Sequence, residues 1–201
     1  MIRRNPRGDL PVVHDSAYVD PMAILCGRVV VHADVFIAPY AVIRADEVDA
    51  NGDMAAIVIG AQSNIQDGVV MHAKSGAAVT IGERTSIAHR AIVHGPCSVG
   101  DGAFIGFNSV LFDCAVGEGC VVGHGAVVEG CDLPAGFHVP ATQCIGAHTG
   151  IANLERVTAE HSRFSEDVVR TNNALVHGYR RLAGLRPIES PAGFDDPALP
   201  D

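Results

Sequence analysis

Tryptophan is absent from this 201-residue chain, and aromatic residues make up only 5% of it. Its hydrophobic share of 48% must therefore come mainly from small and aliphatic side chains, which is enough to bury a core. Charge is also sparse, at 18%, and the formal net charge is −9 with no basic run to offset it. Such a balance argues against a nucleic-acid partner or an anionic membrane surface. The opening MIRRNPRGDLP lacks the apolar stretch of a secretory signal, and no apolar run is long enough to span a bilayer. A cytoplasmic protein is the expectation. No two of the six cysteines (Cys26, Cys97, Cys114, Cys120, Cys131, Cys144) form a CxxC pair. They read as reduced, mostly packed thiols and not as a disulfide framework.

What the chain does have is glycine, 22 of them, and a beat of six. Aliphatic residues recur at Val19, Leu25, Val31, Ile37 and Ile43, then at Ile59, Ile65 and Met71, then from Ile81 through Ile87, Val93, Val99 and Ile105 to Leu111. The count slips by one and resumes at Val116, Val122 and Val128. Two residues before each stands a small or β-branched partner, such as Ala23, Val35, Ala41, Ser63 or Cys120. Residues at i and i+2 share one face of a strand. A pair repeated every six residues predicts short strands with one inward face, separated by corners where Gly and acidic residues cluster, as in IGERTS and VGDGAF. An ordinary β-sandwich keeps no such period, so the fold class is an all-β solenoid. The pattern resembles the hexapeptide-repeat family, which implies a left-handed parallel β-helix of triangular section with three hexads per turn.

The beat breaks twice, at EVDANGDMAA (47–56) and AKSGAA (73–78), which read as loops. LPAGFHVPAT (133–142) reads as a turn that closes the coil. The β-helix domain is expected over 9–145. From about Ser162 to Ala183 the spacing turns helical, with Phe164, Val168, Asn172, Leu175, Tyr179 and Leu182 on one stripe. This C-terminal α-helix (160–184 at its widest) should pack along the coil, with Ser162 or Ser165 as its cap. The tail at 186–201, rich in Pro and Asp, is expected to be disordered.

Three of ten histidines fall within residues 69–96. Met71 and Val93 point inward, so His72 and His94 point outward. With the loops removed they lie three hexads apart, which stacks them on adjacent rungs ~4.8 Å apart. Two nitrogens on one zinc need to come within roughly 3.3 Å of each other, a distance that stacked histidines reach by converging slightly. Arg44 falls in the same outward column. His89 follows Ile87 by two positions and belongs to another face or corner, out of reach of the pair within its own chain. A neighbouring subunit could supply it.

The motifs VIRADE (42–47), SNIQDGVVMHA (63–73), SIAHRAIVHGP (86–96), VGDGAFIGF (99–107) and NNALVHGY (172–179) together resemble the gamma-class carbonic anhydrases over about residues 9–182. The resemblance lies nearer the archaeal enzyme and the carboxysome scaffold branch than the shorter bacterial relatives. It implies reversible hydration of CO2 to bicarbonate by a homotrimer, with Zn2+ (or Fe2+ or Co2+) held between His72 and His94 of one subunit and His89 of the next. Gln66 would then hydrogen-bond the reacting oxygen, Asn64 would support it, and Glu47 would carry the proton away. Arg44, Asp46 and Asp67 would form an intersubunit ion-pair group. Asn172 is expected either beside the substrate pocket or as a satisfied polar residue at a packing edge. One departure is that AKSGAA carries no carboxylate where the archaeal enzyme has an acidic shuttle loop. That leaves Glu47, assisted by Asp49 and Asp53, to deliver protons to solvent. Two other functions fit the same coil: a hexapeptide acyltransferase, and a non-catalytic carboxysome-type assembly module. The other histidines, among them His14, His124, His138, His148, His161 and His177, are expected mostly at the surface.

Overall fold

The structure, a computed structural model, describes residues 1–149 and 151–184. The chain winds as a parallel β-solenoid with three faces. One face carries Ile24–Gly27, Val42–Ala45, Val70–Ala73 and the first half of Ile92–Val99, stacked in register. The second carries Val29–Val31, Ile57–Ile59, Val79–Ile81 and the second half of Ile92–Val99. The third runs from Tyr18–Val19 through Phe36–Ile37, Asn64–Ile65, Ser86–Ile87 and Phe104–Ile105 to Val121–Val122. Ile92–Val99 and Val110–Val116 bend around the corner between the first two faces and join them into one 13-stranded sheet.

The six-residue beat is the core. Leu25, Ile37, Ile43, Ile65, Met71, Ile87, Ile105 and Leu111 are fully buried, and so are their small partners Ala23, Val35, Ala41 and Ser63. Burial of each large aliphatic side chain contributes about 1.5–3 kcal/mol. The few inward hydroxyls find corner carbonyls: Ser63 Oγ donates to Gly82 O at 2.7 Å, and Ser109 Oγ to Gly123 O at 2.8 Å. The slip after Leu111 has a local cause. Between the pairs His94↔Phe112 and Cys97↔Cys114, Gly95 and Pro96 face the single residue Asp113, which turns the tighter corner with φ of 50°.

LPAGFHVPAT does not close the coil. It forms another rung, with strands Asp132–Leu133 and Phe137–Val139, and pairing continues to Cys144–Gly146. Its prolines suggest a stop, yet they sit at corners. Pro134 and Pro140 lie beneath Gly117 and Gly123 of the rung before, where the chain turns and no ladder N–H is needed. Pairing also begins ahead of residue 9, at Ile2–Arg3 against Leu25 and Cys26.

The helix spans Ala159–Gly184 and lies along the third face. Its buried residues are Ser165, Val169, Asn172 and Val176. The expected stripe is thus displaced by about one position: Phe164, Leu175, Tyr179 and Leu182 are exposed, Asn172 is shared, and Val168 is partly buried against Ala88, Phe104 and Val121. The third face presents its own aromatics, which meet the helix from the side. Phe104 packs edge-on against Phe164 at 5.1 Å, and Tyr18 stacks on Tyr179 at 4.8 Å. Small residues at 165 and 169 let the helix axis come close between those contacts. The cap differs as well. Thr158 caps the helix, accepting from His161 N at 3.3 Å while Thr158 N donates to His161 Nδ1. Ser162 and Ser165 lie inside and donate back to Thr158 O and His161 O. The expected tail at 186–201 lies outside the described residues.

Candidate functional site

Strand register brings His72 beside His94 on adjacent rungs, with Arg44 one rung away in the same column. The two imidazole rings lie 5.4 Å apart at 72° to each other. His94 Nδ1 is 3.1 Å from Gly95 O. A carbonyl can only accept, so Nδ1 holds the proton and Nε2 keeps its lone pair. His72 Nε2 faces two carboxylates, Asp46 Oδ1 at 3.0 Å and Glu47 Oε1 at 3.5 Å. Asp46 is tied on its other oxygen to Arg44 Nη1 at 2.6 Å. His72 and Asp46 are largely buried, whereas Glu47 is half exposed and so links this cluster to solvent.

Glu47 opens the first loop, whose frame is internal. Asp49 Oδ1 accepts from the backbone N–H groups of Asn51 and Asp53, Met54 is buried, and Asn5 Nδ2 donates to Ala45 O. Asp49 also stands against Gly76 of the second loop, where a side chain would meet Asp49 Cβ at 2.9 Å. The short carboxylate-free loop therefore has an acidic residue of the other loop packed on it.

A second cluster stands apart from the first, on and around the third face. Asn64 and Ser86 share a column on neighbouring rungs, and Asn64 Nδ2 donates to Ser86 Oγ at 2.8 Å. Gln66 Nε2 donates to Asn64 Oδ1 at 2.9 Å, so the amide of Gln66 is held from behind. His89 lies in the corner after Ser86–Ile87, its Nδ1 2.9 Å from Asp67 Oδ2. That carboxylate fixes Nδ1 as protonated and leaves Nε2 free, the arrangement by which a carboxylate orients a ligating histidine. Gln66, His89 and Asn172 line one hollow of about 330 Å³ with Phe104, Phe107 and Phe164. Asn172 is buried and donates to Val168 O at 2.9 Å, so it is both a satisfied helix residue and a wall of this hollow.

The predicted residues thus fall into two groups: Arg44, Asp46, Glu47, His72 and His94 in one, and Asn64, Gln66, Asp67, His89 and Asn172 in the other. Among the described residues no three His, Cys, Asp or Glu side chains converge to hold an ion. The donor chemistry nevertheless fits a divalent metal. His94 and His89 each have Nδ1 tied down and Nε2 open, and His72 sits where two carboxylates make the surroundings favourable to a cation. Sequence reasoning did not find Ser86, Phe104, Phe107 or the Asp67–His89 pair. Ser86 was legible in principle, since it falls one rung after Asn64. The aromatic wall needed the position of the helix.

Residues 78–112 match the family "Bacterial transferase hexapeptide (six repeats)". The chain is 35% identical to a carbonic anhydrase of Methanosarcina thermophila, over 89% of this chain and 78% of that one. It is 36% identical to the carboxysome assembly protein CcmM of a Nostoc species over 83% of its length, but spans only 31% of that protein. Identity to the carnitine operon protein CaiE of Escherichia coli is 42%, over 53% of this chain and 50% of the other. In three dimensions it matches a hexapeptide transferase family protein from Anaplasma phagocytophilum with a TM-score of 0.72, covering 89% and 97% of the two chains at 24% identity. That last likeness is one of fold.

Proposed function

We propose that this chain, which belongs to the gamma-class carbonic anhydrase family, hydrates CO2 reversibly to bicarbonate at metal sites shared between subunits of a homotrimer. One observation carries the reading. A single chain gathers His72, His94 and Glu47 in one group and His89, Gln66 and Asn172 in another, which supports reading them as two halves of one site. Cyclic symmetry would bring the first half of one copy to the second half of the next and repeat the site three times. His72, His94 and the next copy's His89 would hold the metal, Zn2+ by donor type, with Fe2+ or Co2+ suited to the same nitrogens. Held by three nitrogens with a position open, such a metal supplies a water-derived nucleophile for CO2 near neutral pH.

The protein's own groups would do the rest. Asp67 orients His89, and the Gly95 carbonyl orients His94, so neither ring must reorganise. Gln66, backed by Asn64 and Ser86, offers a fixed amide to the oxygen that reacts. The phenylalanine-lined hollow suits an uncharged, apolar substrate such as CO2. Glu47, within 3.5 Å of His72 and half exposed, takes a proton from the site and passes it to solvent. Arg44 neutralises Asp46, which keeps the carboxylate pair beside His72 from being uncompensated.

The test is stopped-flow CO2 hydration on anaerobically purified protein, with metal analysis of the same sample. Metal near one per subunit and turnover abolished by His89→Ala is the expected result. Glu47→Gln should lower steady-state turnover by ~10²-fold or more in weak buffer and by less in strong buffer, where buffer replaces the shuttle. Absence of bound metal would overturn the reading. Metal without hydration would favour an assembly role, toward which the likeness to CcmM points.

A further inference from the structure

Beyond His94 on the Ile92–Val99 strand, Cys97 begins a column of three cysteines at one corner of the coil. Cys97 pairs in register with Cys114 on the next rung, and the Ala115↔Asp132 pairing places Cys131 one rung further in the same column. Cys97 Sγ and Cys114 Sγ are 3.7 Å apart, while both residues are buried against the aliphatic core. A groove of about 360 Å³ opens beside them, lined by Cys97, Cys114, Asp113, Asp132 and Pro96. Most inward small positions in the core hold Ala, Val or Ser. Packing alone does not require two facing thiols at the edge of a groove.

We propose that Cys97 and Cys114 form a peroxide-reactive dithiol that closes to an intrachain disulfide. The Cys97 thiolate sulfur attacks one oxygen of hydrogen peroxide, forming S–O as O–O breaks, and the departing hydroxide takes up a proton as water. Cys114 sulfur, giving up its proton, then attacks the sulfenic sulfur of Cys97. S–S forms, S–O breaks, and the second hydroxide leaves as water with that proton. Two thiols and one peroxide give one disulfide and two waters, the pair losing two electrons and the peroxide gaining them.

The surroundings of the two sulfurs favour Cys97 as the first to react. The hydrogen bond between the two thiols lowers the pKa of Cys97, although burial and Asp113 oppose it. The same bond, then burial, raises Cys114, whose Sγ, 3.7 Å from that of Cys97, stands where the second nucleophile is needed. Burial also raises Cys131, and the nearby Cys114 adds to this. Asp113 and Asp132 flank the groove and disfavour anionic oxidants. Neutral peroxide should therefore act much faster than glutathione disulfide. The backbone requirement is modest, because rung neighbours ~4.8 Å apart fall inside the Cα separation that a disulfide accepts.

The experiment uses the reduced full chain with one equivalent of hydrogen peroxide, followed by non-reducing peptide mapping. A Cys97–Cys114 cross-linked peptide, and a mass lower by about 2 Da, are expected. Cys114→Ser should stop the reaction at Cys97 sulfenic acid, trapped by dimedone. Cys97→Ser should slow peroxide consumption at least tenfold. Equal rates with glutathione disulfide, a cross-link that instead uses Cys131 or Cys144, or unchanged peroxide consumption in Cys97→Ser would each overturn the proposal. The wild-type map alone decides the cross-link if either variant fails to fold.

Discussion

At the scale of single residues, the coil is limited by its corners. Non-glycine residues adopt left-handed backbone at Asp34, Tyr40, Arg84, Arg90 and Asn108, so most corners tolerate a side chain. Gly27 is different. It has φ of +81°, and a Cβ there would lie 2.0 Å from Ala45 O and 2.8 Å from Asn5 Nδ2. Gly27→Ala combines an unfavourable conformation with a backbone clash, and should cost ~2 kcal/mol or more in denaturant unfolding. A loss below ~0.5 kcal/mol would mean that the first loop and Asn5 yield easily. The outward histidines show what strand alternation can and cannot predict. That His72 and His94 share a column followed from counting hexads. That His94 is held by Gly95 O, and His89 by Asp67, depends on side-chain rotamers that no periodicity encodes.

At the scale of elements, the helix is the instructive case. Its existence was legible from the change of period, but its buried stripe was displaced by about a position. Hydrophobicity pointed to Phe164, Leu175, Tyr179 and Leu182, whereas close approach to a flat strand ladder selects the small Ser165 and Val169 and leaves large rings to the flanks. Its start is also where a pH effect should originate. The His138 and His161 rings lie 4.2 Å apart, His161 being part of the Thr158 cap. Burial, and then the neighbouring His161, hold the His138 imidazole below its ordinary 6.5, while Glu155 acts in the opposite sense. Arg156 is the other charged residue paired across from the Phe137–Val139 strand. A depressed histidine binds its proton more readily when unfolded, so stability is lost as pH falls below about 6.5. His138→Gln should therefore show a smaller drop in Tm than wild type between about pH 7.5 and 5.5. Parallel curves for the two proteins would assign the acid sensitivity to other groups.

At the scale of the whole molecule, the division of the candidate site makes a prediction that no single-chain enzyme shares. On the proposed trimeric reading, His94→Ala subunits would lack the first half-site and His89→Ala subunits the second, so a trimer of either alone should be inactive. Mixed, unfolded and reassembled in equal amounts, random trimers would pair one intact half with the other at about a quarter of interfaces. Hydration activity should return to about that fraction of wild type. No recovery, with heterotrimers demonstrated by mass, would place the whole site within one chain. The helix packs along the third face of the coil and lines the hollow beside His89.

The six-residue beat determined by itself that the chain would coil, which residues would form the core, and that His72, His94 and Arg44 would share one outward column, because alternation and rung height are properties of the strand backbone. Even so, it misjudged LPAGFHVPAT, since a proline at a corner and a proline that ends a coil look the same in one dimension. Only the tertiary structure decided that the candidate residues separate into two groups, that a wall of phenylalanines stands over Gln66 and His89, and that Cys97 faces Cys114. Those outcomes depend on where the helix docks and how each corner turns. Both are set by packing between segments far apart in the chain.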